Sequence, residues 1–266
     1  MEKPLLGKRI VVTRAQEQAG ELSRLLAGYG AHVIEFPTIK IVPPDSWDPV
    51  DRAIGALEAY NWIIFTSTNG VKFFLKRLKL RRRLLTEFNH LRFCAIGPRT
   101  AQEIEKTGAK VNVVPDQYCA EALVERLGIE ELEGRRILLA RAKKARDLVP
   151  KELRKLGAAV DVVEVYQTIM PDICKKEIGR VFQGDRIDLI TFTSSSTVNH
   201  FIQMCEEKGG LSNPLAGVTV AAIGPITANT LRRHGVTLHI IPQSYTIRDL
   251  TEAIVDYFRE GFAGRT

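Results

Sequence analysis

Apolar residues in this chain fall into short, nearly unbroken runs separated by longer stretches of helical period. The runs at 10–13, 62–65, 93–96, 137–139, 189–192 and 220–223 are too short for helices and read as strands. After 10–13 and 137–139 comes an amphipathic helical stretch that ends at Gly30 or Gly157, then a second strand at 32–36 or 160–163. The runs at 62–65 and 189–192 end in Thr and Ser, which suit the cap of a helix starting near Asn69 or Thr197. The runs at 93–96 and 220–223 lead into Gly-Pro, then Thr100 or Thr227, and a helix opened by the proline. A last short strand is expected to end at Pro115 or Pro242, before helices at 120–127 and 247–258. Strands that are apolar throughout, alternating with helices, mean parallel sheets covered on both faces.

This reading is the same in the two halves because the halves are copies. GKRIVVTRA at 7–15 matches GRRILLARA at 134–142, and WIIFTSTNGVKFF at 62–74 matches LITFTSSSTVNHF at 189–201. CAIGPRTAQEI at 94–104 matches AAIGPITANTL at 221–231, while Gly108, Pro115 and Tyr118 match Gly235, Pro242 and Tyr245. Every pair is separated by the same 127 positions, as Gly7 is from Gly134, which chance does not produce. The fold expected is α/β, with two doubly wound, flavodoxin-like parallel-sheet domains formed by internal duplication.

Composition narrows the partner. The 266 residues are 45% hydrophobic and 26% charged, as in folded water-soluble chains. No apolar leader opens the sequence and no run approaches the ~18 residues of a membrane span, so a cytoplasmic protein without membrane contact is expected. The net charge of +7 favours anionic ligands. The basic run at 76–83 reads as the end of a helix and its turn, and it lacks the interleaved aromatics of a nucleic-acid surface, so no nucleic acid is expected. Cys94, Cys119, Cys174 and Cys205 are widely spaced and read as idle thiols in a reducing compartment.

In doubly wound sheets, ligands bind outside the carboxyl ends of the strands, where helix N-termini offer free N–H groups. That rule selects Arg14 and Arg141, Thr66 and Ser67, Thr193 and Ser194, and the Gly97–Thr100 and Gly224–Thr227 loops. Two such edges facing each other would form an anion-binding cleft. The plainer reading of each residue is that Ser and Thr cap helices and Gly-Pro turns the chain. No dinucleotide fingerprint, phosphate loop, zinc-protease motif or nucleophile elbow occurs, and the five histidines have no ligand spacing. A two-domain anion-binding protein of periplasmic or sensor type is the main rival. A racemase with paired cysteines is disfavoured, because Cys94 matches Ala221 and Cys205 matches Leu78.

The segments VVTRA at 11–15, IIFTSTNGV at 63–71, VYQT at 165–168, FTSSSTV at 192–198 and AAIGPITA at 221–228 together resemble the uroporphyrinogen-III synthase family. The resemblance implies cyclisation of hydroxymethylbilane, a linear tetrapyrrole with eight carboxylates, with loss of water and inversion of the terminal pyrrole. It implies no metal and no redox cofactor, a monomer, and room for a transient contact with the upstream hydroxymethylbilane synthase. Similar enzymes are thought to pass through an azafulvene and a spiro intermediate, so holding the ends in the productive pose is the main task. The family pattern places Tyr166 as a proton or hydrogen-bond donor to the departing hydroxyl. It places Thr100, Ser194, Ser196 and Thr227 on the substrate's acetate and propionate groups, beside Arg14, Thr66, Ser67, Arg141 and Gly224, which the strand-end rule selects for the same role. It also implies that residues 37–44 and 164–171 form a two-stranded hinge. The domains would then be 1–36 plus 172–266, and 45–163.

Overall fold

The computed structural model describes residues 3–117, 119–130, 132–173, 175–184, 186–209 and 215–263. Its first half runs β1 (Arg9–Val12), α1 (Gln16–Gly28), β2 (His32–Glu35), β3 (Lys40–Val42), α2 (Asp48–Gly55), β4 (Trp62–Phe65), α3 (Thr68–Leu80), β5 (Arg92–Ala95) and α4 (Pro98–Glu105). Its second half runs α5 (Ala120–Gly128), β6 (Arg136–Ala142), α6 (Leu148–Lys155), β7 (Ala159–Ile169), α7 (Lys175–Phe182), β8 (Leu189–Phe192), α8 (Ser195–Met204), β9 (Thr219–Ala222), α9 (Pro225–Arg233) and α10 (Ile247–Ala263). The expected α/β architecture with parallel sheets is the one observed. The chain divides into two compact units, Met1–Lys40 with Ile169–Thr266, and Ile41–Thr168.

The first unit holds a sheet in the order β2-β1-β8-β9, with every neighbouring pair parallel. The side-chain period of two splits β1 between two cores. Ile10 and Val12 pack with Leu22 and Leu26 of α1 and Leu250 and Ile254 of α10. Val11 joins Ile178, Val198, Phe201 and Leu231 on the other face. Both faces are therefore closed by helices, which is why the strands carry no polar alternation.

The second unit repeats that order with other strands: β3-β7-β6-β4-β5, parallel from β7 through β5. Ile63, Phe65, Leu138 and Ala140 face Phe74 and Leu78 of α3 and Ile104 of α4. Trp62, Ile64, Ile137 and Leu139 face Leu123 and Leu127 of α5 and Leu153 of α6.

One expectation needs correction. The strands foreseen before Pro115 and Pro242 shrink to single bridges, Cys94 to Val113 and Ala221 to Ile240. Val113 N–H donates to Phe93 O and Ala95 N–H to Val113 O. The next rung would need an N–H at position 115, which proline lacks; Pro242 ends the other ladder in the same way. The strand expected at 160–163 runs on unbroken to Ile169. Its counterpart β2 ends before Pro37, whereas position 164, the equivalent 127 residues on, is Glu and can continue the ladder.

The basic run does end a helix, and Arg77 and Arg83 within it are used inside the protein. Arg77 Nε donates to Asp51 at 2.6 Å and its guanidinium lies over Trp47, while Arg83 bonds Glu87 and lies over Phe88. Among the described residues no helix is long and apolar enough to cross a membrane.

Candidate functional site

In the second unit, β4 delivers Thr66 and Ser67 to the carboxyl edge of the sheet. Ser67 is the N-cap of α3, and its Oγ accepts from Gly70 N–H at 3.0 Å. A Cβ on Gly70 would stand 3.2 Å from that Oγ and 3.4 Å from Ala140 O, so the helix starts close against β6. Near the end of β7, Tyr166 is 8% exposed, and its hydroxyl lies 3.1 Å from Ser67 Oγ. Phe73, one turn into α3, stacks on the phenol ring with centroids 5.8 Å apart and planes 24° apart. Burial pushes the phenol's pKa up, and the Ser67 contact pulls it back only in part. The group therefore keeps its proton at neutral pH and can act as a donor.

Arg141 at the end of β6 turns onto its own loop. Nη1 donates to Arg146 O at 3.1 Å and Nη2 to Asp147 at 2.7 Å, which holds the Asp147 carboxyl below its usual range. The Arg141 side chain is only 12% exposed, and its buried Nε has no partner among the described residues. Thr100 sits in the first turn of α4, after Gly97 and Pro98, and is 4% exposed.

In the first unit, Ser194 caps α8 by accepting from Thr197 N–H at 3.2 Å, and Thr197 Oγ1 accepts in return from Ser194 N–H at 3.3 Å. Ser196 is half-buried in the same turn, and Arg14 is half-buried just after β1. Thr227, in the first turn of α9, is as buried as Thr100. Gly224 caps α9 in extended backbone, and its missing side chain is filled by the Tyr245 ring: a Cβ there would stand 3.1 Å from Tyr245 Cγ. Beneath this edge lies a closed hydroxyl network that the sequence reading missed. Thr13 donates to Thr191 O at 2.7 Å, Thr191 to Val11 O at 3.2 Å, and Thr38 to Thr197 O at 3.0 Å, with His200 Nδ1 3.1 Å from Thr38 O.

Of the residues singled out from the sequence, Tyr166 and Ser67 are brought into contact, with Thr66 beside them. Thr100 and Arg141 lie at the same carboxyl edge of the second unit. Arg14, Ser194, Ser196, Gly224 and Thr227 lie at the corresponding edge of the first. Phe73 could have been found, since it stands three residues after Gly70 and so shares its helix face. Cys94 and Cys205 are buried thiols with pKa pushed up to about 12, which removes them as nucleophiles. Cys174 and Tyr118 lie outside the described residues. Among the described residues no cluster of His, Cys, Asp or Glu could hold a metal ion.

Residues 20–252 match the family model described as uroporphyrinogen-III synthase HemD. The chain is 34% identical to the uroporphyrinogen-III synthase of Synechococcus elongatus over 97% of its own length and 98% of that protein. It is 30% identical to that of Chlorobaculum parvum, covering 94% and 98%. Among solved structures, a mutant uroporphyrinogen III synthase from Thermus thermophilus aligns over 96% of this chain and 100% of that one, with a TM-score of 0.66 at 16% identity. The Helicobacter pylori synthetase aligns over 94% and 99%, with a TM-score of 0.65 at 20% identity.

Proposed function

The chain belongs to the uroporphyrinogen-III synthase family, and from that premise we propose which residues carry its reaction. The protein is a lyase of tetrapyrrole biosynthesis that needs no cofactor, and it closes hydroxymethylbilane to uroporphyrinogen III. Membership of this family also sets aside the rival reading of an anion-binding sensor.

Tyr166 is the group that assists departure of the terminal hydroxyl. The observation that carries this is the buried phenol, 3.1 Å from Ser67 Oγ, at the carboxyl edge of its sheet. As the C–O bond of the hydroxymethyl arm breaks, its electron pair leaves with oxygen, and the pyrrole nitrogen supplies the electrons that form the azafulvene. The phenol donates a hydrogen bond to the departing oxygen, and the proton follows as negative charge develops there.

Thr66, Ser67, Thr100 and Arg141 in one unit, and Arg14, Ser194, Ser196, Gly224 and Thr227 in the other, bind the acidic arms of the substrate. Helix N-termini at strand carboxyl ends, the +7 charge and the unpartnered Arg141 Nε support this assignment. The two copies interleave. Residues 37–44 and 164–171 act as connecting strands, with 1–36 and 172–266 in one domain and 45–163 in the other. The protein works as a monomer, in transient contact with the upstream hydroxymethylbilane synthase.

The test is incubation with hydroxymethylbilane followed by separation of the product isomers. The asymmetric isomer should dominate; the symmetric isomer alone, at the spontaneous rate, would reject the activity. Tyr166→Phe should lower kcat about 100-fold with little change in melting temperature. Unimpaired turnover would remove Tyr166 from the chemistry.

A further inference from the structure

At the carboxyl edge of the first unit, the row of strand ends runs through Arg14, Ser194 and Gly224 and continues one step further. Ile240 bridges Ala221 as the outermost position, and the chain then passes Pro242 to Tyr245. The Tyr245 ring lies against the backbone of Gly224, with Cγ and Cδ1 only 3.1 and 3.2 Å from where a Cβ would stand. Even so, Tyr245 is 60% exposed. Ile226, two residues beyond Gly224, is 62% exposed. Two large apolar side chains thus stand exposed at this turn, Tyr245 against Gly224 and Ile226 two residues along the chain from it.

We propose that Tyr245 and Ile226 form an apolar shelf that receives the face of one pyrrole ring of the substrate. The occupant follows from two properties on the page. An electron-rich heteroaromatic ring suits an exposed phenol and an aliphatic side chain, whose aromatic contacts add stabilisation beyond area burial. Its acidic arms suit the N–H groups of the turn that starts at Gly224. The glycine is what brings these together, since any side chain at 224 would push the ring off the backbone. The shelf thus sets where a ring lies, while the turn beside it holds the arms. This inference rests on the reading that the edge of the first unit binds substrate.

The experiment measures initial rates against hydroxymethylbilane concentration, the isomer ratio and the melting temperature for Tyr245→Ala, Tyr245→Phe and Thr227→Ala. Tyr245→Ala should raise KM about fivefold, increase the share of symmetric isomer and leave the melting temperature nearly unmoved. Tyr245→Phe, which keeps the ring, should restore KM to within about twofold. A KM unchanged in Tyr245→Ala but raised in Thr227→Ala overturns the shelf and leaves the edge in place. Unchanged KM in both overturns the edge reading and the shelf together. Should Tyr245→Ala not fold, Ile226→Ser reads the same shelf from its other side, and an unchanged KM there overturns the proposal.

Discussion

The two units share one strand order and differ in what fills the ground beneath the carboxyl edge. In the first unit, Thr13, Thr38, Thr191 and Thr197 are fully buried and spend their hydroxyls on backbone carbonyls or on the α8 cap. The positions 127 residues away in the second unit are Ala140, Val165, Ile64 and Gly70. There the ground is apolar, and it carries one hydroxyl pair, Ser67 with Tyr166, which is not locked to a carbonyl. His200, beside Thr38 O, is replaced by Phe73, which stacks on Tyr166. The same backbone thus supports a closed, static network on one side and a buried donor with an exchangeable partner on the other. A hydroxyl committed to a carbonyl cannot follow a substrate, whereas a phenol held by a serine can.

The largest effect that separates the two sides is on turnover. Tyr166→Phe in the second unit should cost about 100-fold in kcat, whereas Thr38→Val in the first should cost stability instead. Thr38→Val keeps the shape but removes the hydroxyl's bonds to the carbonyls of Thr13 and Thr197, at about 1 kcal/mol, while Thr13 O keeps the bond from Thr38 N–H. Denaturant midpoints and kcat measured on both variants check this. A Thr38→Val protein with parental stability would mean that the network is not closed in solution.

A smaller effect compares the two caps. Ser67→Ala and Ser194→Ala each remove an N-cap, worth about 1 kcal/mol, so their midpoints should fall by similar amounts. Ser67→Ala should also lower kcat, by several-fold, because it strips the phenol of its partner, whereas Ser194→Ala, at a substrate-binding position, should act on KM instead. Equal kcat losses in both variants would dissolve the distinction between the sides.

Much of this was legible in the sequence, because parallel strands buried on both faces leave short apolar runs, and duplication shows every signal twice. Ser67 and Ser194 as caps followed from their place between an apolar run and a helical period. The contact between Ser67 and Tyr166 did not, since it joins positions 99 residues apart that share no local pattern. The threonine network was hidden for a related reason: Thr is a common strand residue, and nothing local tells a hydroxyl facing water from one facing a carbonyl. The strands expected before Pro115 and Pro242 shrink because a β-branched run signals a strand while the proline that follows has no N–H to give the next rung.

The smallest effect appears at alkaline pH, at the opposite end of the second sheet. Tyr60 donates to Asp161 at 2.7 Å, and burial together with that carboxylate pushes its phenol up to about 12. The equivalent positions in the first unit, Ile187 and Ile34, hold no titrating pair. An unfolded tyrosine ionises near pH ~10. Below that, both states hold the proton and the contribution is complete. Between about 10 and 12 the unfolded chain releases the proton while the folded one keeps it, so stability falls as pH rises. Tyr166, also raised, acts with the same sign. Denaturation midpoints from pH 8 to 11.5 should therefore decline less steeply in Tyr60→Phe than in the parent. The variant should be slightly less stable at pH 8, where the bond to Asp161 is missing. Parallel declines in the two proteins would show that Tyr60 ionises no later folded than unfolded, and that the asymmetry between the units stops at their carboxyl edges.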